Sequence, residues 1–230
     1  MRIDIITGFP NLLRGPLSES ILRQAKQKNL VKIRIHNLRK YTHDRHKTID
    51  DTPYGGGAGM VLKPEPFFKC IEALKVKRTY DDIIYLTADG ELFTQTIANE
   101  LSLKNNLLFL CGHYKGIDNR VRESLVTREI SIGDYVLTGG EIAAAVVIDA
   151  IVRLLPGVLG DSESLLDDSF QDKLLGYPTY TKPAEYKGLK VPDVLLSGNH
   201  KAIAEWRQKQ RILRTKLRRK SSIWQRRSNI

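Results

Sequence analysis

The 230-residue sequence predicts an α/β fold with a mostly parallel sheet, followed by a small all-helical carboxy-terminal domain. Three observations carry this prediction. Short continuous apolar runs bounded by polar turns, at residues 83–87 and 107–111, fit strands buried on both faces. Such runs alternate with helix-like stretches, and that alternation is how parallel sheets are built. Past residue 172 the strand-like runs cease, and the chain closes on a basic segment with helical spacing.

Taken in order, residues 3–7 and 31–35 read as strands flanking a helix that Ser18 caps and that runs to about residue 29. The loop Thr42-His43-Asp44-Arg45-His46 sets two imidazoles beside Asp50 and Asp51. Hydrogen bonding that holds a long loop is favoured there over metal ligation, and no metal site is assigned. The turn Tyr54-Gly55-Gly56-Gly57-Ala58-Gly59-Met60 lacks the Lys and Ser/Thr of a phosphate-binding loop, although glycines at this density let a ligand approach the backbone. Strands at 83–87 and 107–111 bracket a helix at 94–103. A strand at 130–132 precedes an Ala- and Val-rich helix at 140–154. Residues 156–172 are acidic and rich in turn formers, as expected of a linker between domains. Residues 199–219 carry a stripe of Ile203, Trp206, Gln210, Leu213 and Leu217 within basic surroundings.

Composition narrows the function classes. With 41% hydrophobic and 27% charged residues the chain is an ordinary globular one. Its longest apolar stretch, 142–155, is interrupted by Asp149 and Arg153 and falls short of a membrane span. The amino terminus carries Asp4 and lacks the layout of a signal peptide, which predicts a cytoplasmic protein. Cys70 and Cys111 read as two reduced thiols. The net charge of +11 is concentrated at one end: residues 201–230 hold eleven Lys or Arg against a single acid, Glu205. Such a tail points to a polyanionic partner, foremost a nucleic acid.

Two further patterns point to a ligand pocket. Gly112-His113-Tyr114-Lys115-Gly116-Ile117-Asp118 follows one buried strand, and Ile132-Gly133-Asp134-Tyr135-Val136-Leu137-Thr138-Gly139-Gly140-Glu141 precedes a helix. Ligands bind at strand ends in parallel sheets, and glycines there let main-chain groups line the site. These patterns alone leave the ligand open.

The segments THDRHKTIDDTPYGGGAGM, CGHYKGID, SIGDYVLTGGE, PGVLG, DDSF, YPTYTKP and VPDVLLSGNH, in this order, resemble the bacterial tRNA (guanine-N1)-methyltransferase family of the knotted SPOUT class. The resemblance runs from Met1 to about Lys220. It implies three regions: a knotted cofactor-binding catalytic domain at 1–158, a linker carrying the catalytic carboxylate at 159–172, and a helical basic tRNA-binding domain at 173–230. It also implies a deep trefoil knot, an exception to the rule that chains do not thread themselves.

By the same resemblance the cofactor is S-adenosylmethionine, bound in a bent form, and the enzyme is a homodimer with its active site at the subunit interface. The product is 1-methylguanosine at tRNA position 37, just 3′ of the anticodon, which supports reading-frame maintenance. Carried over residue by residue, the cofactor pocket is walled by Leu86, Thr87, Gly112, Tyr114, Gly116, Ile132, Gly133, Tyr135, Leu137, Gly139 and Gly140. Asp168 matches the catalytic carboxylate, with Asp167 the competing assignment, and Arg153 matches the catalytic arginine. Guanine N1 is protonated at neutral pH, so its methylation calls for a base, while a guanidinium near O6 stabilises the charge that develops there. Arg211, Arg214, Lys216, Arg218, Arg219 and Lys220 are the expected phosphate contacts.

The family's reaction uses Mg2+. Here, however, His113 and Lys115 stand where it commonly has arginine and glutamate, and Leu86-Thr87-Ala88-Asp89-Gly90 lacks an expected Ser-Pro pair. Two alternatives remain at this stage: a noncatalytic RNA-binding or ribosome-assembly protein of the same fold, and a methyltransferase for another RNA base.

Overall fold

The computed structural model describes residues 1–159, 169–170 and 172–219. The chain forms two compact units, Met1–Gly160 and Asp161–Ile230.

The first unit contains β1 (Arg2–Thr7), α1 (Asn11–Arg14), α2 (Ser20–Gln27), β2 (Lys32–Asn37), β3 (Asp50–Asp51), β4 (Val61–Leu62) and α3 (Pro64–Lys75). It continues with β5 (Asp82–Leu92), α4 (Gln95–Ser102), β6 (Asn106–Cys111), α5 (Asn119–Leu125), β7 (Arg128–Ser131) and α6 (Gly140–Val152). Five strands form one sheet in the order β2-β1-β6-β5-β7, every pairing parallel. The short β3 and β4 pair antiparallel beside it.

Alternation along the strands sorts the core into two layers. Ile3, Ile5, Ile84, Leu86, Leu107, Phe109 and Cys111 face α1, α2, α4 and α6. Ile6, Ile83, Tyr85, Leu108 and Leu110 face Phe67, Cys70, Ile71 and Leu74 of α3 and Val121 of α5. This double burial explains why β6 reads as the unbroken run Leu-Leu-Phe-Leu-Cys.

Several boundaries depart from the sequence expectation. Ser18 does not cap α2. Its N–H closes the turn after α1 by donating to Gly15 O at 3.0 Å, and Glu19 occupies the cap position. The helix α3 was not anticipated, although Pro64 at its start and the buried residues Pro66, Phe67, Cys70, Ile71 and Leu74 keep helical spacing. The helix expected at 94–103 is α4, and Thr94 caps it, its hydroxyl accepting from Ile97 N at 3.4 Å. Strand β5 runs to Leu92, well past the predicted residue 87, because a register shift against β7 between Leu86 and Glu91 loops out residues 87–90 and then resumes pairing.

One polar cluster is built into the sheet. Asp4 on β1 is fully buried and accepts from Arg2 Nε at 2.9 Å, Arg2 Nη2 at 2.8 Å, Tyr80 Oη at 2.8 Å and Arg78 Nη1 at 3.2 Å. His36 Nε2 lies 2.7 Å from the same carboxylate. Burial alone would raise its pKa, but the hydrogen bonds from His36, Arg2 and Tyr80 outweigh burial and hold Asp4 well below the usual carboxylate range.

The second unit contains β8 (Glu185–Tyr186), β9 (Leu189–Lys190), α7 (Asp193–Leu196) and α8 (His200–Arg218). Two helices lie in the region expected to be helical, but it is not all-helical as expected: β8 and β9 form a hairpin. Lys187 and Gly188 both take positive φ, as a two-residue turn between right-twisted strands requires. Asn199 caps α8 by accepting from Ala202 N at 3.1 Å. The stripe on α8 is buried only in part. Ile203, Trp206 and Gln210 are shielded, whereas Leu213 and Leu217 are exposed and Thr215 turns inward. The reason is polar: Thr215 Oγ1 accepts from Leu175 N at 2.9 Å, and Arg211 pairs with Asp172, so the last turns of α8 present side chains that satisfy the 172–175 segment.

Candidate active site

The carboxyl ends of β5, β6 and β7 open onto one cleft, where a parallel sheet places its ligands. Three segments frame it: the looped-out residues after Leu86, the turn 112–116 after β6, and residues 130–140 running from β7 into α6. The last two are joined through their backbones. Gly140 N donates to Gly112 O at 2.8 Å, and His113 bridges Gly139 in antiparallel fashion. All the expected wall residues line this cleft, namely Leu86, Thr87, Gly112, Tyr114, Gly116, Ile132, Gly133, Tyr135, Leu137, Gly139 and Gly140.

The glycines are needed first by the protein's own packing. A Cβ at Gly112 or at Gly116 would lie 2.8 Å from the Tyr85 hydroxyl. A Cβ at Gly139 would meet His113 Nδ1 at 2.4 Å and Glu141 Oε2 at 2.5 Å, and one at Gly140 would meet Cys111 Cα at 3.0 Å. Only Gly116 among these needs a positive φ, and Tyr114, also at positive φ, completes the same turn. The walls are therefore thin backbone and apolar surface, with Tyr135, Val136 and Leu137 exposed along the segment before α6.

Behind the Gly139 wall sits a buried polar pair that the sequence reading missed. Glu141, in the first turn of α6, accepts from Thr7 Oγ1 at 2.6 Å. Its other oxygen faces His113 Nδ1 at 3.8 Å, and neither of these two atoms has a hydrogen-bond partner. The His113 ring packs on Phe9 at 4.2 Å between centroids and edge-on to Tyr114 at 4.7 Å. The GHYKGID motif held the signal for His113, but nothing in the sequence joins it to a glutamate on another element. Cys111 is fully buried, which pushes its thiol well above the ordinary value, and burial takes Cys70 up to about 12; both are free. Neither suits nucleophilic chemistry.

The glycine turn flanks the cleft. Lys115 N donates to Met60 O at 3.0 Å, Leu62 N to Gly116 O at 3.0 Å, and Asp118 N to Leu62 O at 3.0 Å. In the loop that precedes it in sequence, Asp44 accepts from Thr48 N at 2.9 Å and Thr48 Oγ1 at 2.8 Å. Among the described residues no group of three His, Cys, Asp or Glu side chains gathers as a metal site.

Arg153 stands at the carboxyl end of α6, partly buried, its N–H donating to Asp149 O at 3.2 Å. Asp168, its competitor Asp167, and Lys220 lie outside the described residues. The remaining basic candidates sit on or just after α8 in two different settings. Lys216 and Arg218 are exposed, and Arg219 lies over the Phe170 ring at 5.4 Å. Arg211 is largely covered and paired with Asp172, and Arg214 is partly buried with its Nε lacking a hydrogen bond. A second cleft, of about 540 Å3, lies within the carboxy-terminal unit and is lined by Tyr177, Tyr180, Lys182, Trp206 and Arg207 among others. The YPTYTKP and VPDVLLSGNH segments and the stripe residues Ile203 and Trp206 supply most of its lining, but nothing in the sequence joins them into a cleft.

Comparison with known proteins agrees with this geometry. The profile of the family described as tRNA (Guanine-1)-methyltransferase TrmD matches residues 1–225. A tRNA (guanine-N(1)-)-methyltransferase of Bacteroides thetaiotaomicron is 59% identical over 216 residues, covering 94% of this chain and 96% of its own. The protein of that name from Porphyromonas gingivalis is 57% identical, with the same coverage of both chains. One from Dictyoglomus turgidum is 56% identical over 219 residues, 95% of this chain and 88% of its own. With the strand-end cleft, its glycine walls and near-complete coverage in agreement, the chain belongs to the tRNA (guanine-1)-methyltransferase family.

Proposed function

We propose that this chain transfers a methyl group from S-adenosylmethionine to N1 of the guanosine at tRNA position 37, just 3′ of the anticodon. The observation that carries the reading is the cleft at the ends of β5, β6 and β7, walled by two glycine segments clamped together through Gly140 and Gly112. Its residues fit an adenosyl group: Leu86, Ile130, Ile132, Leu137 and Ala143 offer apolar surface, and the flanking main chain offers donors and acceptors close to the cavity. When bound, S-adenosylmethionine supplies an electrophilic methyl group on a sulfonium.

The chain's own groups carry the rest. Asp168 accepts the proton from guanine N1, and Arg153 stabilises the negative charge that grows on O6. The basic α8 tracks phosphates and leaves base choice to the catalytic groups. The protein acts in the cytoplasm as a homodimer with the active site at the subunit interface. Ile142 and Val146, one turn apart on α6 and exposed, support such an interface, since an apolar face on a central helix calls for a cover.

The test is transfer of labelled methyl groups to unmodified tRNA with guanosine at position 37, against the same tRNA with adenosine there. Guanosine alone should be methylated. Asp168→Asn should slow single-turnover transfer by about 100-fold or more, with Asp167→Asn affected far less. Equal labelling of both tRNAs, or a slower Asp167→Asn enzyme, would overturn the target base or the choice of base residue respectively.

A further inference from the structure

The residues lining the strand-end cleft include no Asp or Glu among those described, and their one standing charge is Lys115. His113 also lines the cleft, but its ring is stacked on Phe9 and its Nδ1 is turned to the buried Glu141.

Lys115 is held in a definite place. Its backbone is tied to Met60, and its stem lies along the glycine turn: a Cβ at Gly59 would lie 3.4 Å from Cε and Cγ, and one at Gly57 would lie 3.3 Å from Nζ. Gly57 and Gly59 both take positive φ, so the turn has no side chains where the lysine runs. Lys115 is exposed and is one of the residues lining the cleft, its Nζ running beside Gly57, and no ion pair to it is found among the described residues.

We infer that Lys115 forms a carboxylate-binding subsite that takes the amino-acid end of the methyl donor. This rests on the proposed identity of that donor. S-adenosylmethionine carries three charged groups: a sulfonium, an ammonium and a carboxylate. With one ammonium and no acid among the lining residues, Lys115 offers its opposite charge only to the carboxylate, and disfavours the other two groups in its immediate neighbourhood. The lysine thereby selects orientation as well as affinity, and a charge-assisted hydrogen bond is the contact available to it.

The experiment is calorimetric binding, without RNA, of S-adenosylmethionine and of its decarboxylated analogue, which keeps the adenosyl group, sulfonium and amine. Wild type should bind the intact cofactor about tenfold more tightly or better than the analogue. Lys115→Met, which keeps the stem and removes the charge, should bring the two within about twofold, by weakening the intact cofactor and relieving the repulsion of the analogue's cations. Lys115→Arg should keep most of the preference. An unchanged preference in Lys115→Met overturns the subsite. So does an unchanged cofactor affinity with a loss in tRNA affinity, which would make an RNA phosphate the partner of this lysine. If wild type binds neither compound, the cofactor reading itself fails, a result distinct from both.

Discussion

Asp4 is the residue whose chemistry is most constrained by its surroundings. It is fully buried and served by two arginines, a histidine and a tyrosine from three regions of the chain. Removing its charge leaves those partners facing a neutral amide, so Asp4→Asn should destabilise the protein by about 3 kcal/mol at pH 7. The pH dependence follows from the depressed pKa. The stabilisation is complete above the unfolded-state value of about 3.9 and is lost as pH falls below it toward the folded value. Urea denaturation of wild type and variant at pH 7, 5 and 3 should give a constant gap at the first two and a smaller one at the third. A gap that does not narrow would mean that Asp4 contributes by shape and not by charge.

At the scale of the element, α8 separates two kinds of basic residue that look alike in the sequence. Lys216 and Arg218 are exposed, while Arg211 is covered and bound to Asp172, and Thr215 beside it holds the backbone of Leu175. Replacing Lys216 and Arg218 together by Gln should flatten the salt dependence of tRNA binding by up to about two units of log–log slope, one for each lost phosphate contact, with the protein's stability nearly unchanged. Arg211→Met should do the reverse, lowering the thermal midpoint with little change of slope. Titrations between low and physiological salt, with melting curves on the same samples, decide between them; a flattened slope in Arg211→Met would place that arginine on RNA.

For the whole molecule, the open question is what covers the exposed face of α6. Its residues are apolar nearly all round: Ala143, Ala144, Val147 and Ile148 are buried in the core while Ile142 and Val146 face outward. If the face is the homodimer contact, Ile142→Glu with Val146→Glu should halve the molar mass seen by light scattering and abolish methyl transfer while leaving the circular dichroism spectrum unchanged. A dimer that persists in this double variant would move the interface elsewhere.

The sequence by itself determined the elements whose signal is local. The runs that became β1, β5 and β6, the helical stretches that became α4 and α8, and the basic end of the chain are all legible because periodicity and composition act over a few residues. The motif order carried the family, and with it the list of pocket residues. Tertiary structure alone decided what those residues touch. A Cβ at Gly112 would meet the Tyr85 hydroxyl from another strand, Gly116 takes a positive φ beside the same hydroxyl, and a Cβ at Gly139 would meet His113 and Glu141 behind it. Leu213 and Leu217 fit a helical stripe, yet Thr215 and Arg211 won the inward side because the unpaired backbone and carboxylate of the facing segment required partners. Ser18 lost its cap to a turn set by the preceding helix. In each case the deciding group is distant in sequence or belongs to a neighbouring element. Close packing and the need to satisfy buried polar atoms act between elements, where no local pattern records them.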